Sequence, residues 1–547
     1  MREKPTAAVL IGLASLNCLA QIAWFWRFCS RDVITDAVSY IGIARHLLNG
    51  DFVGSLHGYW SPLMSWLIAA CSFVSSNLTL AGRFITIGTF LSCLPLTYWL
   101  AFKLWRSHVV ASAAVLWFTV ARGLLASSVC LIVADFLLTA CVLIYFSFLL
   151  SSLRDNSYRR WFLVSVAHGV AFLAKAFAMP WLALTTIAAV TIQNWGSFSK
   201  LWRTAVFALI FPALVWVGWG ELLKTKLGVF TAGYQLRYNL LVNTRRSYLK
   251  ADSGSVTYPF LTEGQYDEYM VTQPPDGWNS PLLSKHLIPT ILNVEAVNVP
   301  RALKEITILL TPGGLLALYL ALRFLVPYRS RFDAEYKFAL LVIFSAMTLV
   351  VAYCMLVFDD RYVWPLIPVF MAISARFLVP RGEIGFSTPV LQRAALALTV
   401  IFTVFFTLYW ASPFRTIDRD FQASCRDAAS QLQRLDPHGR TLVSLGQGPY
   451  PEHGVGWEVE LYAAYFADRR VVAVRDTLPP PSDVERLARA VLDERAGDVL
   501  VWGVPGDSSY QALVSDLQRA TGAVSAAKVH DPRKGEVGTA IVFSGTH

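Results

Sequence analysis

The chain has 547 residues, of which 55% are hydrophobic and only 15% charged, and its mean hydropathy is +0.48. Soluble proteins carry roughly 25% charged residues, so a soluble globular fold is excluded and an α-helical polytopic membrane protein is expected. The net charge of +10 does not point to nucleic acid, because most Lys and Arg stand in short connections between apolar runs, where they set topology.

Met1-Arg2-Glu3-Lys4 is a short basic start, and the apolar run from Thr6 to Trp26 follows it. No small-residue cleavage site comes after this run, so it reads as a retained first span with the N-terminus in the cytoplasm. The stretch Asp32 to Trp66 then forms the first external loop. From Asp36 onward it has helical spacing, with Tyr40, Ile43, Ala44, Leu47 and Leu48 on an apolar stripe and Asn49-Gly50 as a stop. Such a helix between two spans is expected to lie in the headgroup plane, with Asp32, Asp36, Arg45 and His46 in water or facing a cleft. Asp36 then stands where a lipid phosphate would sit. The plainer reading is an acidic residue favoured by the helix dipole.

Pro62 to Val74 is apolar but short of the roughly 20 residues a crossing needs, so it reads as re-entrant or as a second interfacial helix. Spans are then expected over roughly Leu80–Leu104, Val109–Leu125 and Leu131–Leu150. Trp161–Ile192 is broken by Lys175 and Pro180 and reads as two short spans with a tight external turn. Thr204–Leu223 is the next span, before a polar loop from Lys224 to Glu305. Further spans are expected over Ile306–Val326, Phe338–Phe358, Tyr362–Phe377 and Ala394–Trp410, about eleven in all. The short connections on the N-terminal side hold Arg154, Arg159, Arg160, Lys200, Arg203, Arg329 and Arg331, among others. The opposite side holds Arg27, Arg31, Arg45, Arg83, Arg122, Lys175 and Arg361. The excess on the N-terminal side supports this topology. Beyond Ala411 the pattern changes to β-like runs (Thr441–Leu445, Arg470–Val474, Val499–Val504, Thr539–Phe543) alternating with helical ones such as Asp483–Leu492. The chain therefore divides into a membrane domain, residues 1–412, and a small soluble extracytoplasmic α/β domain, residues 413–547.

The eight cysteines lie mostly inside apolar runs and read as small core residues. No CxxC or CxxH spacing suggests zinc. Cys29 and Cys425 alone fall where an oxidising face is plausible, and no bridge between them is expected. His46, His57 and His168 read as helix-end, loop and packed histidines. Leu445-Gly446-Gln447-Gly448 is a loop and not a dinucleotide fingerprint, because no helix follows at the right spacing.

On this topology the ionisable groups at membrane depth converge on one face: Asp36, Asp135, Lys175 and the run Asp359-Asp360-Arg361-Tyr362. Charges there are costly, and they either mark function or pair with one another. For Asp135 the bland alternative is an ion pair with Arg122 or Lys175. For Asp359 and Asp360 it is an ordinary polar turn.

The first loop resembles that of the GT-C glycosyltransferases that use polyprenyl-phosphate sugars, such as the protein O-mannosyltransferases and the lipid A aminoarabinose transferase. The residues that carry the likeness are Asp36, Tyr40, Ile43-Ala44, Leu47, Gly50 and Pro62-Leu63. Three later segments extend it in the family's order: A-D-F-L-L-T-A at Asp135, L-A-K-A-F-A-M-P at Lys175, and D-R-Y-V-W-P-L-I-P at Arg361. The chain departs from the family at Asp36-Ala37, where Asp-Glu or Asp-Ser is frequent, and at Trp60-Ser61-Pro62, where His-Pro-Pro is frequent. The resemblance implies transfer of a sugar from a polyprenyl-phosphate donor to a hydroxyl-type acceptor on a lipid, glycan or protein. The reaction would run at the extracytoplasmic face of a multi-pass protein, in a bacterial inner membrane.

It implies Asp36 as the catalytic base. Arg361, then Lys175, would hold the donor phosphate, and Asp135 would orient the acceptor or Lys175. Tyr40, Arg45, Asp360 and Tyr362 are further candidates. No metal ligand set and no cofactor are expected, although related enzymes differ in whether they need a divalent metal. The competing readings are a lipid or solute transporter or flippase, and a non-catalytic assembly protein. Against a transporter stands the lack of an internal repeat of the kind many transporter folds show.

Overall fold

The computed structural model describes residues 3–29, 33–121, 123–233, 235, 298–300, 302–304, 334–354, 359–375, 419–437, 441–445, 462–463, 465–467, 470–475, 498–503, 507–521, 524–531 and 535–543. The chain forms two compact units. One is built from helices before residue 415. The other joins Asp32–Gly50 to Thr416–His547.

The helical unit contains α1 (Glu3–Cys29), α3 (Pro62–Cys71), α4 (Leu78–Trp105), α5 (His108–Val120), α6 (Leu124–Cys130), α7 (Asp135–Arg154), α8 (Tyr158–Ala174), α9 (Ala178–Gln193), α10 (Phe198–Leu227) and α11 (Ala334–Cys354). Helix α2 (Thr35–Leu48) belongs to the second unit. A 3₁₀ segment (Asp360–Leu366) then leads into α12 (Ile367–Ser374). Among the described residues five helices, α1, α4, α7, α10 and α11, are long and apolar enough to cross a bilayer, and the chain is an integral membrane protein. The expected spans Ile306–Val326 and Ala394–Trp410 lie outside the described residues, as does most of the loop Lys224–Glu305. The eleven-span count therefore rests on the sequence.

Helix α7 is central. It packs against α4 and α8, α8 packs against α10, and α1 packs against α5 and α6. Polar groups fix these contacts. Arg154 bonds Glu335 and donates to the Lys103 carbonyl at 2.8 Å, tying α7 to α11 and α4. Trp181 Nε1 donates to Ser345 O at 2.8 Å, and Trp105 Nε1 to Ala372 O at 2.7 Å. Gly169 of α8 allows close approach of α10, since a Cβ there would lie 2.6 Å from the Phe211 ring. Arg83 is fully buried and donates to the carbonyls of Val129 (2.7 Å) and Cys130 (3.3 Å), the last acceptors of α6. Those carbonyls have no partner inside their own helix.

The segment expected as a span over Tyr362–Phe377 is instead the 3₁₀ turn followed by the eight residues of α12. Pro365 and Pro368 explain this. Each lacks an N–H, and each disfavours the α conformation in the residue before it.

In the second unit, β1 (Thr441–Leu445), β2 (Arg470–Arg475), β3 (Asp498–Trp502), β4 (Val524–Asp531) and β5 (Gly535–Phe543) form one sheet in the order β2-β1-β3-β5-β4. The β2-β1-β3 pairs are parallel, and β5 runs antiparallel to both β3 and β4. Strand β3 is buried along its whole length, as a central strand covered on both faces requires. Helices α13 (Arg419–Leu435) and α14 (Ser508–Thr521) pack on the sheet. The four strands expected from the sequence are β1, β2, β3 and β5. Strand β4 was hidden by its weak alternation, V-S-A-A-K-V-H-D. The helical run Asp483–Leu492 lies outside the described residues.

Candidate active site

Asp135, Lys175 and Arg361 each stand where a helix begins or ends. Asp135 opens α7, where the helix dipole favours a carboxylate. Lys175 is the residue that stops α8, with extended backbone. Pro180 follows in the first turn of α9, where its missing N–H has no helical partner to lose. Asp359 caps the 3₁₀ turn, and its carboxylate accepts from the Arg361 amide at 3.1 Å.

These ends come together. Lys175 Nζ lies 2.5 Å from Asp135 Oδ1, with the two side chains only 13% and 3% exposed. Of the alternatives open for Asp135, this is the pair with Lys175. Arg122 lies outside the described residues. The Lys175 ammonium also lies 5.0 Å from the centroid of the Tyr362 ring, a cation–π arrangement. Tyr362 stacks on Tyr353 with centroids 4.0 Å apart, and Tyr353 meets Phe177 at 4.2 Å. Beside Tyr362, the Arg361 guanidinium is gripped by Asp359, Nε to Oδ2 at 3.0 Å and Nη2 to Oδ2 at 2.9 Å. Tyr353 is within electrostatic reach of Asp135, Arg361, Tyr362 and Tyr59. Phe136 stacks on Trp364 at 5.0 Å and locks the start of α7 to the 3₁₀ turn. Asp360 belongs to this turn.

The loop before α3 is also shaped by local bonds. His57 Nδ1 accepts from the amides of Tyr59 (2.9 Å) and Trp60 (3.1 Å), so this histidine orders the loop. Leu56 packs on Phe172, Trp219 and Leu223, and Lys226 donates to Gly54 O at 2.9 Å.

Asp36, Tyr40 and Arg45 belong to the second unit. Helix α2 is buried from Ala37 to Ala44, and Ser39 and Ile41, which lie off the expected stripe, are 0% exposed. Leu48, on the stripe, is 44% exposed. Tyr40 is buried, Asp36 is half-buried, and the Arg45 guanidinium lies 5.4 Å from the centroid of the Tyr465 ring. Gln422 of α13 makes a two-way bridge to the backbone of Val33: Val33 N donates to Oε1 at 3.1 Å and Nε2 donates to Val33 O at 2.7 Å. Asp32 lies outside the described residues.

Sequence reasoning did not find Tyr353 or the grip of Asp359 on Arg361. The D-D-R-Y run contains the second signal, since an acidic residue two positions before an Arg at a turn can cap it and pair with it. Tyr353 looks like any aromatic in a span.

The architecture is the GT-C fold. It is shared with two crystal structures of ArnT from Cupriavidus metallidurans, a lipid A aminoarabinose transferase, one apo and one bound to undecaprenyl phosphate. Both align with a TM-score of 0.56 at 14% identity. The apo structure matches over 97% of this chain and 98% of that one, and the lipid-bound structure over 98% of each. No protein-family model matches the sequence, and no curated protein matches it.

Proposed function

We propose that the chain is a membrane glycosyltransferase that moves a sugar from a polyprenyl-phosphate donor to a hydroxyl-type acceptor on a lipid, glycan or protein, at the extracytoplasmic face. The observation that carries this reading is the pairing of two cations, Lys175 and Arg361, with buried carboxylates and stacked tyrosines at one end of a GT-C helical unit. The lipid-bound ArnT structure adds that this fold accommodates undecaprenyl phosphate.

The chemistry has two demands. The acceptor O–H must lose its proton as the new C1–O bond forms, and a carboxylate in hydrogen-bond reach can take it. Asp36 has that role. The old C1–O bond breaks with its electron pair going to the lipid phosphate, and that growing charge needs cations held in place beforehand. Arg361 supplies a planar fork suited to phosphate, oriented by Asp359. Lys175 supplies three donors, one of them engaged by Asp135. Asp135 thus positions Lys175 and keeps the site from carrying an excess of buried positive charge when the lipid is absent.

The test uses wild type and Asp36→Asn in nanodiscs with a panel of radiolabelled polyprenyl-phosphate sugars, scoring free polyprenyl phosphate. Release by wild type alone is expected. Equal release by Asp36→Asn would remove the base assignment. No release from any donor by folded wild type would favour the transporter reading, which a lipid-translocation assay then examines.

A further inference from the structure

The chain has eight cysteines. Cys18, Cys71, Cys93, Cys141, Cys354 and Cys425 are free thiols, whereas Cys130 is disulfide-bonded. Within one chain a disulfide needs a second cysteine, and Cys29 is the one that remains. We infer that Cys29 and Cys130 form an intrachain disulfide and that the ends of α1 and α6 therefore face an oxidising compartment.

The places of the two residues support the pairing. Cys29 is the last residue of α1 and Cys130 the last of α6, and these two helices pack together. Four of the free cysteines, Cys18, Cys93, Cys141 and Cys354, are buried within helices long enough to cross the bilayer. Disulfides form by attack of a thiolate, and a thiolate is disfavoured in apolar surroundings. Cysteines at helix ends can meet water, and those within spans cannot. In the reaction both thiols are oxidised, a disulfide-bearing oxidant of the compartment is reduced to its dithiol, and the two cysteine protons pass to it by exchange.

Disulfides persist outside the cytoplasm and not within it. Cys29 follows the first span, and Cys130 falls between the spans expected over Val109–Leu125 and Leu131–Leu150. The distribution of Lys and Arg independently assigns both places to the extracytoplasmic side. Only Leu131–Ala134 separate Cys130 from Asp135. The end of α7 that holds the Asp135–Lys175 pair accordingly opens on that same side. This inference stands whether or not the protein transfers sugars.

The experiment takes the full chain from membranes whose thiols are blocked with N-ethylmaleimide before lysis, digests it without reduction and maps the peptides by mass spectrometry. A linked pair carrying Cys29 and Cys130 is expected, and it should vanish on reduction. Alkylated Cys29 and Cys130 in the unreduced wild type, or a different linked pair, would overturn the pairing. Cells lacking their envelope thiol oxidant should yield several-fold less of the linked pair. An unchanged yield would overturn the compartment. In Cys130→Ser, a membrane-impermeant maleimide added to intact spheroplasts should label Cys29. Labelling only after the membrane is opened would also overturn the compartment. The wild-type arms do not depend on any variant folding.

Discussion

Lys175 reaches Asp135 across the gap between two helix ends, 2.5 Å from nitrogen to oxygen, with both side chains almost wholly out of water. Neither charge has bulk solvent to fall back on. Removing one partner strands the other, at a cost of about 3–5 kcal/mol, whereas replacing a buried pair by apolar groups of similar size is often neutral. Asp135→Leu and Lys175→Met should each lower Tm in nanodiscs, and the double variant should recover most of the loss. Transfer should stay low in all three, because the double variant restores packing and not the donor-facing cation. A double variant as unstable as the singles would show that the pair contributes more than mutual neutralisation.

Asp359 holds Arg361 through main chain and side chain together. Arg361→Lys keeps the charge and loses the fork. It should raise the KM for the polyprenyl-phosphate donor by about tenfold or more, given that hydrogen bonds to charged groups contribute about 1.5–3 kcal/mol. Asp359→Asn should act in the same direction but less strongly, since it loosens the guanidinium without removing it. Steady-state kinetics with donor varied at fixed acceptor measures both.

The ring of Tyr362 serves Lys175 on one face and stacks with Tyr353. Tyr362→Phe preserves both contacts and should stay within about threefold of wild type. Tyr362→Leu loses the cation–π contact, worth about 0.5–2 kcal/mol, and should weaken donor use by several-fold. Equal behaviour of the two variants would show that the hydroxyl, not the ring face, matters.

In the α/β unit, burial lifts the Tyr510 phenol above its ordinary range, and the hydrogen bond to Glu536, 2.6 Å away, lifts the Lys528 ammonium. Both folded-state values are raised, so the folded unit holds these protons more tightly than the unfolded chain. The stability they contribute is complete below the unfolded values, about pH 10 for tyrosine, and is lost as pH rises through the folded ones. Titration to high pH followed by near-UV circular dichroism should show this unit loosening. In Tyr510→Phe the tyrosine's share of the pH dependence should disappear.

The parts of this architecture that were legible in the sequence rest on local rules. A lysine and a proline inside one long apolar run marked the break between α8 and α9, and an acidic residue before a leucine-rich run marked the start of α7. The meeting of Asp135, Lys175 and Tyr362 was only partly legible. Charge asymmetry assigned them to one face, but which carboxylate pairs with which cation depends on side chains 40 residues apart in the chain. Tyr353 was invisible because an aromatic in a span is ordinarily packing. Helix α2 misled for a different reason. Its stripe describes a helix covered on one side, and the residues that enclose a helix on every side can come from anywhere in the chain.

The bridge between Gln422 and Val33 joins residues 389 positions apart. Evolution and protein engineering alike usually treat a C-terminal soluble domain as an attachment that can be trimmed or exchanged. Here the segment leading into α2, the helix that carries Asp36, takes its backbone partner from α13. A chain cut before Arg419 would give up that partner along with the tail. A transplanted tail would have to bring its own glutamine to the same carbonyl and amide.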